Sequence, residues 1–325
     1  MDLEQGSIEL IKMAAKMAMN YYGQPIVCTY SGGKDSDVLV ELFLRSGVDF
    51  EVHNSHTTAD APETVYHIRK KFKQLEEKGI KCTIQYPKMS MWTLIPHKKM
   101  PPTRLARYCC AYLKETALPN RMIATGVRWD ESNARKERGS MEILTPKKKD
   151  KIVLQRSDFI EEAEEYEQLS MFGDKHETML MNDNNKKRQF FERCQLKAKS
   201  VCNPIVNWTT KELYDYIAAE HIEINPLYGC GFCRVGCIGC PMADKQRWFE
   251  FSVFPKYRDN YIRAFDRMIQ VLKAERRANE KVLTPLKWKN GLDVFDWWMN
   301  NQTIEGQIEL TEWLEEAGIY TGNEF

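Results

Sequence analysis

The first half of the chain alternates short apolar runs with stretches whose apolar residues recur at helical spacing. Four runs rich in β-branched and aromatic residues predict strands, at 25–31, 48–55, 81–87 and 121–127. Between them lie helical patterns, at 36–46, 62–78 and 103–116. This alternation predicts an α/β fold, a parallel twisted sheet with helices on both faces. We assign this domain to residues 1–155.

The pattern changes in the second half of the chain. Residues 156–200 are polar, dense in charge and poor in turn-forming residues, which predicts an inserted helical segment. It could be a solvated hairpin, or a lid or partner surface. We expect residues 201–245, which are rich in cysteine, to complete the functional site, and residues 246–325 to form a helical subdomain. Helical spacing recurs in this half at 209–221, 254–280, 291–301 and 307–318.

The turn after the first predicted strand has the sequence SGGKDS, residues 31–36. Glycines let the backbone approach a ligand closely, and the N–H groups of a helix N-terminus favour an anion. Lys34 supplies a positive charge, whereas Asp35 could hold a metal ion or brace the loop. Neither the Walker pattern nor G-x-G-x-x-G is present. A purely structural Gly-Gly turn is the alternative, but such a turn does not need these polar neighbours.

The sequence SGGKDS resembles the loop by which PP-loop ATP pyrophosphatases hold the pyrophosphate part of ATP. Three further segments resemble the phosphoadenylylsulfate reductase group of that superfamily, in the same order: TTADAPETVYHIRK (57–70), ATGVRWDESNAR (124–135) and NPIVNWTTKELYDYI (203–217). The resemblance covers about 25–245 and implies an adenine nucleotide alpha hydrolase-like fold. The chain is also similar to the ATP-pyrophosphatase component of DNA phosphorothioation systems and to cluster-dependent tRNA thiolases.

The resemblance implies a set of site residues and the cofactors ATP and Mg²⁺. The nucleotide would be held by residues of the loops after the first, second and fourth strands: Ser31, Gly32, Gly33, Lys34, Asp35, Ser36, Asp60, Gly126, Arg128, Ser132 and Arg135. Of these, Lys34, Asp35 and Arg128 are the expected catalytic residues: the two cations stabilise charge on a transferring phosphate, and Asp35 holds a metal ion or braces the loop. Arg135 could equally be a surface residue. Glu63 could join Asp60 on magnesium, or stabilise a helix N-terminus.

Four cysteines occur within eleven residues, in the spacing C-x₂-C-x₃-C-x₂-C: Cys230, Cys233, Cys237 and Cys240. Zinc sites usually separate their two C-x-x-C pairs by a dozen or more residues. An iron–sulfur cluster accepts thiolates from tighter loops, and some of its known runs end in Cys-Pro, as this one does. The spacing therefore favours a cluster, with zinc and unligated thiols as alternatives.

A second group, Cys109 and Cys110, lies at the start of a predicted helix. In cluster-bearing members of the reductase group, a Cys-Cys pair and a distant C-x-x-C hold one [4Fe–4S] cluster. On that pattern the ligands would be Cys109, Cys110, Cys237 and Cys240, which leaves Cys230 and Cys233 as alternates. Alternatively, one cysteine of the upstream pair could join three of the later group.

The reductases of this group attack sulfur with a cysteine near the C-terminus. No cysteine follows Cys240 in this sequence, so we expect that reaction to lack its usual nucleophile. The resemblance then implies ATP-dependent adenylation with pyrophosphate release, coupled to sulfur transfer onto a nucleic acid or nucleotide, with Cys230 or Cys233 as a possible carrier. A cysteine desulfurase or another sulfur donor is an implied partner. The alternatives are a sulfonucleotide reductase with a different thiol and a non-catalytic nucleotide-sensing module of a multi-protein defence assembly.

Composition adds three expectations. The net charge of +1 gives no general attraction to nucleic acid, although residues 97–107 and 146–151 are locally basic. No apolar run is long enough to span a membrane and the first residues do not resemble a signal peptide, so we expect a cytoplasmic protein without a membrane partner. The eight tryptophans are expected mainly in the core rather than as base-stacking platforms.

Overall fold

The computed structural model describes residues 2–115, 117–131, 135–136, 138–144, 152–154, 199–278, 286 and 288–300. These residues divide into two compact units. One is built within Met1–Lys88 and Cys110–Cys237, and the other within Met89–Cys109 and Ile238–Phe325. The predicted boundaries after residues 155, 200 and 245 stay predictions. Most of the predicted insertion at 156–200, and the helix predicted at 307–318, lie outside the described residues.

Within the described residues, the first unit contains seven strands, four α-helices and three shorter helical turns. The strands are β1 (Ile26–Thr29), β2 (Phe50–Ser55), β3 (Cys82–Gln85), β4 (Met122–Ala124), β5 (Met141–Leu144), β6 (Ile152–Leu154) and β7 (Lys199–Cys202). The α-helices wholly in this unit are α1 (Leu3–Tyr22), α2 (Lys34–Ser46), α3 (Pro62–Glu77) and, later in the chain, α6 (Thr210–Ala219). A π-helical turn, Ala111–Glu115, follows the three-residue helix α5 (Tyr108–Cys110).

The strands form one sheet in the order β3-β2-β1-β4-β7-β5-β6. The first five are parallel to one another, and β5 and β6 add an antiparallel edge. The predicted α/β fold with a parallel sheet is therefore confirmed, and all four predicted strands are present. The sequence did not predict β5, β6 and β7, because runs of three or four residues are too short to show a period.

Alternate residues of the central strands belong to two different apolar clusters. Ile26 and Cys28 of β1 belong to the main core, together with α1, α2 and α3, whereas Val27 lies in a small cluster with Ile123 and Val201. This is the two-residue period of a strand whose two faces are both covered. The strand ends, and the loops that follow them, are fixed by this packing.

The second unit is helical, as the sequence predicts for the C-terminal region. Its helices are α4 (Met91–Lys98), α7 (Gln246–Val253), α8 (Pro255–Ala278) and α9 (Gly291–Asn300). Its core is aromatic, with Phe251, Tyr261, Phe265, Phe295 and Trp298 in mutual ring contact. Within the described residues, no helix is long and apolar enough to cross a membrane.

The helix predicted at 103–116 is wrong over its first five residues. The amide of Ala106 donates to the Thr103 hydroxyl at 2.9 Å, and the Thr103 amide donates to the Ala106 carbonyl at 3.3 Å. This local turn competes with a helix, as threonine side chains often do, and helical structure begins only at Tyr108. The helices α4 and α7 are eight residues each, and the sequence did not predict them.

Candidate nucleotide site

The loop Ser31–Ser36 joins β1 to α2 by a tight turn. Gly32 has φ +73°, and a Cβ there would come within 2.9 Å of Ile68 Cγ1 on α3. Gly33 caps α2, which begins at Lys34. A glycine is therefore required at position 32 both for its backbone angle and for the space next to α3. The predicted strand, turn and helix N-terminus are all present.

The Ser36 hydroxyl holds the loop in shape. It donates to the Gly33 carbonyl at 2.7 Å and accepts from the amides of Gly33 at 3.1 Å and Ser31 at 3.3 Å. Ser36 is buried, whereas Ser31 is exposed, with its hydroxyl 3.4 Å from Ser36 Oγ. Ser36 thus preorganises the loop, and Ser31 is the serine with access to a ligand.

Two cations flank one carboxylate at the start of α2. The Lys34 ammonium lies 3.3 Å from Asp35 Oδ2 and is largely buried, 5.3 Å and 5.9 Å from the ring centres of Tyr228 and Tyr214. Arg128 donates from Nε to Asp35 Oδ1 at 2.6 Å. Arg128 also lies 3.9 Å from Asp130 Oδ2. Lys34 and Arg128 outweigh the single charge of Asp35, and the helix N-terminus adds its dipole. This arrangement favours an anion.

Arg128 is only 1 % exposed. Besides the pair with Asp35, its Nη1 donates to the Trp208 carbonyl at 3.2 Å and lies 3.3 Å from Thr210 Oγ1. These contacts hold the guanidinium in one place. The sequence predicts a phosphate contact for Arg128, and the structure adds a positioning role toward Asp35. A fixed guanidinium of this kind also contributes positive potential to the loop without touching the ligand.

Gly126 brings the end of β4 against the start of α2. A Cβ at Gly126 would lie 3.0 Å from the Asp35 carbonyl oxygen and 3.3 Å from Asp35 Cβ. Only a glycine lets the two segments approach this closely. Of the other residues predicted after β4, Arg135 forms an ion pair with Glu131, which also accepts the Arg128 amide at 3.0 Å. Ser132 lies outside the described residues.

The loop after β2 supplies the carboxylates predicted to bind magnesium. Asp60 Oδ2 accepts the Thr57 amide at 2.8 Å and lies 3.4 Å from His56 Nδ1. Glu63 Oε2 is buried and has no hydrogen-bond partner. A buried carboxylate oxygen without a donor is costly unless a cation or ligand proton meets it. The oxygen of Glu63 therefore fits a magnesium-bound nucleotide better than the fully engaged Oδ2 of Asp60.

The segment from Asn225 to Cys237 lies across the loop and the start of α3. Asn225 Nδ2 donates to the Gly32 carbonyl at 2.9 Å and to Thr64 Oγ1 at 3.1 Å. The Lys34 amide donates to the Tyr228 hydroxyl at 3.2 Å. The Tyr228 hydroxyl thus occupies a position on the helix N-terminus where a phosphate oxygen would also bind, and its own proton can be donated to that phosphate.

Cys237 continues this segment beside the loop after β2. Its backbone pairs with that of Asp60, and its thiol donates to Thr57 Oγ1 at 3.3 Å. The first part of the cysteine-rich segment is therefore built into the nucleotide site of the first unit. The sequence could not show this, because the contacting residues are nearly two hundred positions apart.

A buried hydrogen-bond network around Asp37 holds the first turn of α2 in place. The Tyr30 hydroxyl donates to Asp37 Oδ1 at 2.5 Å, and His67 Nε2 lies 2.9 Å from the same oxygen. Burial, and then the Asp37 carboxylate, raise the pKa of the Tyr30 hydroxyl, so it stays protonated as a donor. The network joins β1, α2 and α3 and keeps the N-terminus of α2 at the end of the sheet.

The cysteines differ in their surroundings. Cys28 and Cys202 are buried in the core, and burial raises the pKa of both thiols, which keeps them protonated and unreactive. Cys230 and Cys233 are exposed. Burial, and after it the Asp35 carboxylate, raise the pKa of the Tyr214 phenol. The Tyr214 ring also flanks Lys34.

The four predicted cluster ligands are divided between the two units. Cys110 and Cys237 belong to the first unit, and Cys109 and Cys240 to the second. Among the described residues, no group of three or more His, Cys, Asp or Glu side chains could hold a metal ion. The thiolate-rich donor set suits iron–sulfur chemistry. The cluster and its assignment stay predictions, as does the alternative of zinc.

Three residues of this site were not predicted from the sequence: Asn225, Tyr228 and Tyr214. Asn225 had a local signal, because Asn followed by Pro and an apolar run is typical of a helical N-cap, and its Oδ1 indeed accepts the Leu227 amide at 3.0 Å. Nothing local to Tyr214 or Tyr228 distinguishes them from core aromatics.

Comparison with known proteins gives several relatives. The chain is 28% identical over 223 residues to the uncharacterized protein MJ0066 of Methanocaldococcus jannaschii, covering 68% of this chain and 37% of the relative. A second protein of that organism, MJ0973, is 24% identical over 289 residues, covering 88% and 57%. The chain thus matches well under two thirds of the length of either relative. The adenosine 5'-phosphosulfate reductase of Deinococcus radiodurans is 40% identical over 48 residues, 15% of this chain and 19% of the relative.

Solved structures resemble the chain distantly. The phosphoadenylyl-sulfate reductase of Candida auris in its phosphate complex has a TM-score of 0.42 at 13% identity, covering 71% of this chain and 88% of that one. The U34-tRNA thiolase NcsA of Methanococcus maripaludis with its [4Fe-4S] cluster has a TM-score of 0.37 at 14% identity, covering 90% and 89%. Similarity at this level does not bear on activity.

The family match is more extensive. The phosphoadenosine phosphosulfate reductase domain family matches residues 25–243, a range that runs from β1 to the end of the cysteine-rich segment. It includes the loop Ser31–Ser36, Gly126, Arg128 and the residues of 225–237 that lie across the loop. Since the match takes in most of the sequence, this chain belongs to the phosphoadenosine phosphosulfate reductase domain family.

Proposed function

We propose that this chain binds ATP at the loop Ser31–Ser36 and adenylates an acceptor with release of pyrophosphate, as a step in sulfur transfer to nucleic acid. The observation that carries the proposal is the positively charged N-terminus of α2, where Lys34 and Arg128 flank Asp35 on a preorganised glycine turn. Membership of the family supports an adenine nucleotide as the ligand class.

In the proposed reaction an acceptor oxygen attacks the α-phosphorus of ATP. The bond between the α-phosphorus and the bridging oxygen breaks, pyrophosphate leaves with that electron pair, and the acceptor becomes linked to AMP. A sulfur nucleophile then displaces AMP. When it is a cysteine persulfide, the disulfide formed with the acceptor is cleaved by a second cysteine thiol, and an external thiol reductant restores the two cysteines. The charge on the leaving pyrophosphate is neutralised by Lys34, the loop amides and the α2 dipole. Arg128 pairs with Asp35 and so holds this carboxylate away from the negatively charged phosphates.

Magnesium and a cluster complete the proposal. When bound, Mg²⁺ would spread the charge of the triphosphate, and the buried oxygen of Glu63, with Asp60, is the candidate for holding it. A [4Fe–4S] cluster on Cys109, Cys110, Cys237 and Cys240 would supply thiophilic chemistry. Either of the exposed thiols Cys230 and Cys233 is the candidate carrier of incoming sulfur. Its donor would be a cysteine desulfurase or a similar enzyme.

The test measures pyrophosphate release from ATP under anaerobic conditions, with RNA or DNA as acceptor. Lys34→Ala should lower the rate about 100-fold or more, because one electrostatic stabiliser of a transition state contributes about that much. Lys12→Ala, which changes an exposed lysine of α1, is the matched control and should leave the rate unchanged. If ATP binds and no acceptor yields pyrophosphate, the chain is a nucleotide-binding module and the proposal is wrong.

The family match favours a second candidate, a sulfonucleotide reductase. This enzyme would release sulfite from phosphoadenylylsulfate or adenylylsulfate with thioredoxin as reductant. Measuring sulfite and pyrophosphate on the same sample separates the two. Sulfite without pyrophosphate would establish the reductase and exclude adenylation.

A further inference from the structure

The second unit has a basic segment next to an exposed tryptophan. Residues 97–107 contain Lys98, Lys99, Arg104 and Arg107 and no aspartate or glutamate. Arg104 and Arg107 are exposed, and Leu105 between them is 45% exposed. A single exposed leucine is ordinary on a protein surface, so the distinguishing feature of the segment is its positive charge, which suits an anionic partner.

The basic segment is anchored to the helical core at both ends. Trp298 Nε1 donates to the Pro102 carbonyl at 2.5 Å, and the Tyr108 hydroxyl donates to the Met100 carbonyl at 2.6 Å. Pro101 and Pro102 are buried. These hydrogen bonds fix the backbone of the segment, so the side chains of Arg104 and Leu105 start from a defined position.

The start of α7 lies against this segment. Arg104 Nη1 is 3.7 Å from Asp244 Oδ1, two residues before α7 begins. Met242, Lys245 and Trp248 follow one another at a spacing of three residues, and all three are exposed. Lys245 and Trp248 are three residues apart at the start of α7 and share one face. Met242 instead lies in a preceding 3₁₀ turn that ends at Asp244, a residue with positive φ. A cation and a planar aromatic ring are thus displayed on one face at the start of α7, and the Arg104–Asp244 contact brings this helix start to the basic segment.

The opposite face of α7 fixes its rotation. Arg247 is 1% exposed, its guanidinium lies 4.0 Å from the centre of the Trp298 ring, and its Nη2 donates to the Trp298 carbonyl at 3.0 Å. With Arg247 locked inward, the neighbouring Trp248 faces solvent and is 52% exposed. It is the only exposed tryptophan among those that the structure describes. The expectation that tryptophans belong to the core does not hold here.

We propose that Arg104, Leu105, Arg107, Lys245 and Trp248 form a docking surface for single-stranded nucleic acid. An exposed indole stacks on an unpaired base, and guanidinium and ammonium groups contact the adjacent phosphates. Bases in a duplex are already stacked, so the ring gives no comparable contact there. The proposal rests on the proposed function, for which the surface would bind the acceptor strand.

The experiment measures binding of fluorescein-labelled 12-nucleotide RNA and DNA to the chain by fluorescence anisotropy, in the absence of ATP. Trp248→Ala should weaken binding of the single strands about tenfold, the typical contribution of one base stacked on an aromatic ring. The double variant Arg104→Ala, Arg107→Ala should lower the magnitude of the slope of log affinity against log salt concentration by about 1.4, since each phosphate contact with a single strand contributes about 0.7.

Matched controls come from exposed residues outside this surface. Tyr66→Ala removes an aromatic ring that is 69% exposed on α3, and Arg263→Ala removes an exposed guanidinium on α8. Both should bind like the parent chain. Two control ligands lack unpaired bases: a duplex of the same sequence, and polyglutamate. Both should bind at least tenfold more weakly than the single strands.

The outcomes separate this proposal from the proposed function. Selective loss of single-strand binding in Trp248→Ala, with unchanged unfolding temperature, supports the surface whether or not pyrophosphate is ever formed. Equal binding by Trp248→Ala and Tyr66→Ala would overturn it, even in a chain that adenylates nucleic acid. Binding of polyglutamate as tight as that of the oligonucleotide would also overturn it, since the surface would then be one for acidic protein.

Discussion

At the scale of single residues, the loop Ser31–Ser36 depends on side chains that never contact the ligand in the proposed chemistry. Ser36 satisfies the loop amides, Arg128 holds Asp35, and Asn225 bonds the carbonyl of Gly32. Each of these groups is buried. Loss of one leaves a buried partner without a hydrogen bond, which costs more than the bond itself is worth.

The first prediction concerns Asn225. Asn225→Ala removes the donor to Gly32 and Thr64, so we expect the free energy of unfolding to fall by about 1–3 kcal/mol. The Michaelis constant for ATP should rise at the same time, because the glycine turn loses its support. Chemical denaturation and steady-state kinetics measure the two effects. Asn300→Ala, at an exposed asparagine of α9, is the control. Equal effects of both variants would show that Asn225 does not support the loop.

The second prediction concerns Gly126. Gly126→Ala places a methyl group 3.0 Å from the Asp35 carbonyl, so the end of β4 must move away from α2. We expect pyrophosphate release to fall about 100-fold, since small displacements of positioned groups have effects of that size. Gly229→Ala, where an added Cβ meets nothing within 4 Å, should be neutral. Full activity of Gly126→Ala would show that the close approach of β4 to α2 is not required for pyrophosphate release.

The residues with predictable roles are those within one short motif. A strand followed by a glycine turn and a helix predicts an anion site at the helix N-terminus. This pattern is enough to assign roles to Gly32, Gly33, Lys34 and Asp35. Asn225 and Tyr228 could not be predicted, because their contacts with Gly32 and Lys34 depend on how the chain folds back after a long separation. Arg128 was predicted from its place after a strand, but its pairing with Asp35 required the structure.

At the scale of elements, α8 and α9 of the second unit pack without space for a side chain at Gly291. A Cβ there would overlap the carbonyl oxygen of Ile262 and lie 2.8 Å from Asp266 Cγ. The Gly291 amide donates to Asp266 Oδ1 at 2.6 Å. The first residue of α9 is therefore tied directly to the middle of α8.

The third prediction follows from this contact. Gly291→Ala should lower the free energy of unfolding by about 1–3 kcal/mol, the usual cost of overpacking, because the clash involves backbone atoms that cannot rotate away. Thermal unfolding followed by circular dichroism measures the change. Leu292→Ala, at a partly exposed neighbour, is the control and should cost much less. A variant as stable as the parent would mean that α9 shifts freely on α8.

The elements that could be predicted are those with a sustained period. The helices α1, α2, α3, α6, α8 and α9 and the strands β1 to β4 show clear patterns of apolar spacing. The short strands β5 to β7 and the eight-residue helices α4 and α7 do not, because each offers too few turns or alternations. The turn at Thr103 was missed since its side-chain hydrogen bond overrides a helical pattern of apolar residues.

At the scale of the whole molecule, the cysteine-rich segment begins beside the candidate nucleotide site, and its thiols are the groups proposed to carry sulfur. Cys237 lies beside Asp60 in the first unit, whereas Cys230 and Cys233 are exposed. A chain that only formed an adenylate would not need these exposed thiols. The surplus of two cysteines over the four predicted cluster ligands is the feature that links ATP to sulfur in the proposed function.

The fourth prediction tests that link. The double variant Cys230→Ser, Cys233→Ser should keep its iron content and its pyrophosphate release but lose sulfur transfer to the acceptor, because serine forms no persulfide. Iron and sulfide analysis, pyrophosphate release and incorporation of labelled sulfur are measured on one anaerobic sample. Cys82→Ser, at a partly buried thiol on β3, is the control. Unchanged sulfur transfer in the double variant would exclude both thiols as carriers.

The measurement that most directly tests the central claim is a crystal structure of the chain with a non-hydrolysable ATP analogue and Mg²⁺. The account predicts β- and γ-phosphates on the loop Ser31–Ser36, within hydrogen-bond distance of Lys34 Nζ and the amides at the start of α2. It also predicts that the Tyr228 hydroxyl has either turned to donate to a phosphate or moved away. An analogue bound elsewhere, with this loop and the Lys34–Asp35–Arg128 arrangement unchanged and unliganded, would contradict the account.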